Sequence, residues 1–149
     1  MVAATVLLVT VAAPVFSQEA EEEEDPALYA VGTLGASNLY SSYVVLATVA
    51  DGYASTSYSG ATARDLAEES IALHESSVEA LDALVEADNL HEDDRRIIGE
   101  MIEAHELLVQ QAEGLLAYVE EDGSSEEFQR HREAAWEKIS EILEQTPPE

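Results

Sequence analysis

Apolar residues recur at helical spacing in four successive segments of this chain, and the last three segments are joined by only a few residues each. The third segment has the clearest stripe, with apolar residues at Ile98, Met101, Ile102, Leu108, Val109, Ala112, Leu115, Leu116 and Val119. Connections this short make neighbouring helices run antiparallel. The sequence therefore predicts an all-α domain over residues 26–146, folded as an antiparallel up-down four-helix bundle.

Short polar residues mark the predicted helix starts. Their side chains can accept hydrogen bonds from the free N–H groups of a first helical turn, and they are Asp25, Thr62, Asn89 and Ser124. Pro26 follows Asp25 at the first helical position, where proline is favoured. Turns rich in glycine, serine or proline are expected to end the segments, at residues 51–52 with 55–60, at 122–123 and at 147–148.

The N-terminal residues 1–17 contain no charged side chain and are mostly apolar. Such a run is typical of the apolar region of a secretory signal peptide, and we expect cleavage before Gln18. An uncleaved anchor is the alternative, but the apolar run is shorter than the roughly 20 residues that span a bilayer. We therefore expect the mature protein in the periplasm or the extracellular space.

Negative charge dominates the composition, since 32 acidic residues face six basic ones and give a formal net charge of −26. Nucleic acid is excluded as a partner, because phosphate recognition needs a basic surface. Residues 18–25 form an acidic block that repels itself, so we expect a disordered, solvated linker there. Weak binding of cations to this block is the alternative, since carboxylates are calcium ligands.

The first predicted helix differs from the others because residues 27–50 contain no charge. Its serine, threonine, glycine and Asn38 are costly in hydrocarbon, so we expect a core helix and no integral membrane span in the mature chain. Five tyrosines are clustered in and just after it: Tyr29, Tyr40, Tyr43, Tyr53 and Tyr58. We expect most of them in the core and some at an interface, which makes this helix the candidate contact surface for a protein partner or a homo-oligomer.

Two histidines, His74 and His105, interrupt the apolar stripes of the second and third helices and are expected to face inward. Neutral imidazole binds metals, and bundles build such sites from inward side chains, so these two are the candidate metal ligands. The Glu-x-x-His pattern of di-iron bundles is missing, because Ile71 and Ile102 stand three residues before them. The alternative is that both are boundary residues, each with one hydrogen-bonded nitrogen.

Catalytic motifs are missing from the sequence. It has no Gly-x-Ser-x-Gly elbow, phosphate-binding glycine loop or His-Glu-x-x-His, and it has no cysteine for a disulfide, a thiolate or a c-type haem. Met101 lies on an apolar stripe and is expected to pack in the core rather than to bind haem. We therefore expect a non-enzymatic protein without a cofactor that acts by partner binding or self-association. A metal- or cofactor-binding bundle that uses His74 and His105 is the alternative.

Overall fold

The computed structural model describes residues 25–86, 90–120 and 125–145, and among these it contains four helices and no strand. The helices are α1 (Pro26–Ala54), α2 (Gly60–Val85), α3 (Glu92–Glu120) and α4 (Glu126–Gln145). The predicted all-α four-helix bundle is confirmed. The predicted signal peptide at 1–17, and the acidic linker at 18–25 except for Asp25, lie outside the described residues.

Side-chain caps explain where the first two helices begin. Asp25 Oδ1 accepts a hydrogen bond of 2.8 Å from the backbone N–H of Ala27, as the sequence predicts. Helix α2 is capped by Ser59 rather than by Thr62, because Ser59 Oγ accepts the N–H of Thr62 at 3.1 Å. The predicted start of α2 is therefore wrong by three residues.

Helix α1 continues through residues 51–52, the first part of its predicted end, and stops at Ala54, directly before the second part at residues 55–60. Gly52 lies inside the helix with the ring of Tyr58 packed where a Cβ would be. The chain turns after this helix through Thr56, whose φ is 61°. Gly52 therefore serves the close packing of the loop rather than the end of the helix.

Helix α3 lies at the centre of the bundle and packs against each of the other three helices, whereas no packing contact joins α2 and α4 in the described part of the chain. Its position explains its burial, since ten of its residues are buried: Ile98, Met101, Ala104, His105, Leu108, Gln111, Ala112, Gly114, Leu115 and Val119. Phe128, Ala135 and Ile139 close the core from α4. The predicted stripe on α3 therefore faces the core.

Contacts near both ends of α2 and α3 agree with the direction that their short connection predicts. Arg95 Nη1 donates to the carbonyl oxygen of Val85 at 2.7 Å, so the start of α3 lies beside the end of α2. At the opposite end, Arg64 Nε and Glu120 Oε1 form an ion pair at 2.8 Å. This pair of helices is antiparallel, and the up-down order of all four helices stays a prediction.

Candidate functional site

The exposed side of α1 carries the largest share of the apolar surface. Of the nine large apolar residues that are exposed in the described part of the chain, five lie on α1, and we call them the α1 face: Tyr29, Leu34, Tyr40, Val44 and Val45. The expectation that most tyrosines of this region lie in the core is wrong for Tyr29, Tyr40 and Tyr58, which are exposed. Tyr43 and Tyr53 are partly buried against the core.

The α1 face also lacks charge, because no residue from 26 to 50 is acidic or basic. Exposed positions on the neighbouring helix are different, as Glu68, Glu69, Glu75 and Glu79 of α2 show. Over residues 26–50, a protein with a net charge of −26 therefore exposes one side of a helix that has no carboxylate. None of the described helices is long and apolar enough to cross a membrane.

An aromatic cluster of Tyr40, Tyr43 and Trp136 joins the α1 face to α4. The ring centroid of Trp136 lies 5.1 Å from that of Tyr43 and 6.3 Å from that of Tyr40. Arg132 Nε donates to the Tyr43 hydroxyl at 3.3 Å, and the Arg132 guanidinium carbon lies 5.9 Å from the centre of the same ring. Trp136 remains 42% exposed, so the cluster presents a fixed aromatic surface to solvent beside α1.

Sequence reasoning did not single out Trp136 as a surface residue. On α4 the buried positions are Phe128, Ala135, Ile139 and Ile142. Trp136 follows Ala135 directly and therefore points about 100° away from that stripe. A lone tryptophan beside an apolar stripe, on a helix otherwise rich in charge, is the signal that could have marked it.

The second candidate site is the pair formed by His74 and His105. Both side chains are buried, and their Nδ1 atoms lie 2.9 Å apart, within hydrogen-bond distance. The structure thus brings the two predicted site residues together between α2 and α3. The alternative of boundary histidines is wrong, although one nitrogen of each ring is hydrogen-bonded.

Burial lowers the pKa of both imidazoles to about 4, because the charged form loses its hydration in the core. The neighbouring His105 lowers the pKa of His74 further, since two imidazolium charges would repel. Both rings are therefore neutral at pH 7, and one Nδ1 must donate while the other accepts. His74 Nε2 is buried and has no hydrogen-bond partner.

Further donors are missing around this pair. Among residues 25–86, 90–120 and 125–145, no group of three or more histidine, cysteine, aspartate or glutamate side chains is placed to hold a metal ion. His91 is exposed, and His131 lies 3.9 Å from Glu127 on its own helix. The arrangement is therefore an isolated pair of neutral imidazoles in an apolar core, and metal binding by it stays a prediction.

A third buried polar side chain, Gln111 of α3, was not identified from the sequence. It is fully buried, and neither its Oε1 nor its Nε2 has a hydrogen-bond partner. Its position one turn before Leu115 and three residues after Leu108 places it on the buried side of α3. A glutamine at such a position could have been noticed as a polar interruption of the stripe.

Comparisons with protein-family models, with curated proteins and with solved structures find no match to this chain.

Proposed function

We propose that this chain is an exported, non-enzymatic bundle protein that associates with a second copy of itself through the α1 face. The observation that carries the proposal is the charge-free exposed side of α1 in a protein with a net charge of −26. Export is inferred from the apolar residues 1–17, and the non-enzymatic role from the lack of a catalytic motif in the sequence.

Charge favours a second copy as the occupant of this surface. Two molecules of this protein repel each other wherever their carboxylates approach, and repulsion between like charges falls with distance. Residues 26–50 contain no carboxylate, so the α1 faces of two copies can meet without bringing acidic side chains of this segment together. The same surface offers no charge to attract an oppositely charged partner, and an uncharged surface such as a second α1 face complements it.

The composition of the α1 face suits helix packing. Charged residues are depleted in the centre of protein interfaces, and aromatic side chains are enriched there. Tyr40 and Trp136 provide exposed aromatic rings next to Val44.

Symmetry supports the same arrangement. Most soluble homo-oligomers are dimers with a two-fold axis, in which one patch contacts its own copy. Helix α1 has 29 residues and is about 44 Å long. Two such helices, each with exposed apolar residues from Tyr29 to Val45, offer a long self-complementary contact.

Sedimentation velocity of the purified mature protein tests the proposal, with Val45→Glu as the disrupting variant. Val45 is 55% exposed on α1, and its control, Leu73→Glu, changes a residue that is 52% exposed on α2. We expect a dimer for the wild type and for Leu73→Glu and a monomer for Val45→Glu, with circular dichroism showing that all three fold. A wild type that stays monomeric at high protein concentration, or a dimer that both variants retain, contradicts the proposal.

The salt dependence gives a second criterion. Added salt screens the repulsion between two acidic copies, so the wild-type dimer should dissociate less at high salt than at low salt. A contact held by opposite charges would weaken instead. Dissociation that increases with salt therefore contradicts association through the α1 face.

A further inference from the structure

Two neutral imidazole nitrogens that face each other are an unusual feature of an apolar core. His74 and His105 are 0% and 3% exposed, and their Nδ1 atoms are 2.9 Å apart. Residues one turn away on the same helices are uncharged, as Ile71, Val78, Met101 and Val109 show. The pair therefore places two nitrogen donors opposite each other with no carboxylate one turn away along either helix.

The pair also contains a buried polar atom that has no partner. His74 Nε2 is buried without a hydrogen-bond partner, and an unpaired buried polar atom costs stability. Two leucines at these positions would avoid that cost and still fill the core. The cost is explained if the pair binds something that two leucines cannot bind.

The number of donors limits which ion the pair can hold. Zinc takes four ligands, and magnesium and calcium take six or more, mostly oxygen atoms. In the described part of the chain no third histidine, cysteine or carboxylate joins the pair. A divalent ion would therefore lack most of its ligands, because His74 and His105 are buried and water cannot supply the missing ones.

Closed-shell monovalent ions have a different requirement. Cu⁺ and Ag⁺ form stable complexes with two nitrogen donors in a line, and imidazole is a good donor for copper. The single charge of such an ion also costs less to bury than the double charge of a divalent ion, because the desolvation cost rises with the square of the charge. A pair of opposed neutral imidazoles meets these requirements without a third ligand.

We propose that His74 and His105 form a two-coordinate binding site for a monovalent coinage-metal ion, with Cu⁺ as the reference ligand. Two imidazole nitrogens on opposite sides of a metal ion lie about 4 Å apart, so binding separates the rings by about 1 Å from the present 2.9 Å. The hydrogen now shared by the two Nδ1 atoms moves to Nε2 of the ring that carries it. No bond other than this N–H is broken, and no proton or electron leaves the protein.

Anaerobic titration of the full mature protein with Cu⁺, in competition with a chromophoric Cu⁺ chelator, tests this site. We expect the wild type to take one equivalent, and His74→Leu to bind at least about 100-fold more weakly, because loss of a mere outer-shell partner of a metal site already costs about 10–100-fold. His91→Leu and His131→Leu are matched controls, because they remove histidines outside the pair, and they should keep the wild-type affinity. Native mass spectrometry with Ag⁺ gives the stoichiometry independently.

A rescue variant separates metal binding from a structural role. In His74→Met a thioether, which is a donor for Cu⁺, replaces the imidazole within the apolar core. We expect His74→Met to recover most of the Cu⁺ affinity that His74→Leu loses, while circular dichroism shows all variants folded. X-ray absorption of the wild-type complex should show two nitrogen neighbours around copper.

Four results would overturn the proposal. The first is a folded wild type that releases all Cu⁺ to the chelator, and the second is a His74→Leu variant that keeps wild-type affinity. The third is a loss of affinity in His91→Leu or His131→Leu as large as that in His74→Leu. The fourth is a wild type that binds Zn²⁺ as tightly as it binds Cu⁺. The site does not involve the α1 face, so the oligomeric state of Val45→Glu and the Cu⁺ affinity of His74→Leu test the two proposals separately.

Discussion

The Nδ1 atoms of His74 and His105 lie 2.9 Å apart across the seam between α2 and α3, and both rings are excluded from solvent. A hydrogen bond between two imidazoles needs one ring to donate and the other to accept. Protonation of the accepting nitrogen would place two N–H donors against each other and a positive charge in the core. The contact therefore favours the neutral state of both rings.

Stability of the metal-free protein should fall in acid because of this pair. Folding lowers the pKa of each imidazole from 6.5 to about 4, so between these values the unfolded chain binds more protons than the folded one. The stabilisation is complete above pH 6.5 and is lost as the pH falls toward 4. The loss is about 3 kcal/mol for each histidine as an upper figure.

Urea unfolding of the wild type and of the His74→Leu, His105→Leu double variant between about pH 7 and pH 4 measures this loss. The carboxylates are common to both proteins, so the difference in free energy of unfolding isolates the pair. We expect the difference to shift steadily in favour of the double variant as the pH falls. A difference that stays constant over this range contradicts the prediction.

Helix phase is the part of this site that the sequence could predict. Both histidines interrupt apolar stripes, and antiparallel neighbours bring the middle of α2 beside the middle of α3, so their approach follows from spacing alone. Their full burial and mutual hydrogen bond could not be predicted. Those depend on how closely two helices pack, which Ala63 and Ala67 of α2 help to set because their small side chains are fully buried.

The exposed side of α1, in contrast to the approach of the two histidines, could not be predicted from the sequence. The absence of charge in residues 27–50 predicts a buried helix. In the structure α1 buries only one side, since Leu39, Leu46 and Ala50 face the core while Leu34 and Val45 are exposed. A helix without charges has no charged stripe to show which side faces water, so periodicity cannot separate a core helix from an interface helix.

Salt should stabilise the folded state strongly. The chain has a net charge of −26, and most of its acidic residues belong to the bundle, where they produce self-repulsion that unfolding relieves. Raising NaCl from about 0.01 M to about 1 M shortens the Debye length roughly tenfold, so we expect the thermal unfolding midpoint to rise by several degrees. The same series near pH 3, where many carboxylates are protonated, should show a much smaller rise. Equal salt effects at both pH values would rule out carboxylate repulsion as the cause.

Helices α3 and α4 approach each other closely at Gly114 of α3. A Cβ at Gly114 would lie 3.1 Å from Cα and 3.3 Å from N of Phe128, which are backbone atoms that cannot turn away. We expect Gly114→Ala to lower the free energy of unfolding by about 1–3 kcal/mol through overpacking.

Gly99→Ala is the matched control on the same helix. Gly99 is exposed, and a Cβ there would meet nothing within 4 Å. Alanine is the better helix former, so this variant should gain about 0.5–1 kcal/mol. Urea denaturation of both variants measures the two effects. Changes of the same sign would show that the helices do not approach closely at Gly114.

Thr56 adopts a backbone conformation that its side chain disfavours. Its φ of 61° lies in the left-handed region, which costs a β-branched residue about 1–2 kcal/mol. The conformation is held by the turn after α1, where the N–H of Thr56 donates to Tyr53 O at 2.9 Å and the N–H of Ser57 donates to Gly52 O at 2.8 Å. Both bonds use the backbone and survive substitution, so Thr56→Gly should raise the free energy of unfolding by about 1 kcal/mol.

Ser57→Gly tests whether this gain comes from the backbone conformation at Thr56. Thr56 is the one non-glycine residue with positive φ in the described part of the chain, so glycine at position 57 relieves no strain. It adds freedom to the unfolded chain and removes the hydroxyl that lies 3.0 Å from Ser55 Oγ. We therefore expect Ser57→Gly to be neutral or destabilising in the same urea experiment. If both variants gain stability equally, loop flexibility rather than the left-handed conformation of Thr56 limits the stability of this turn.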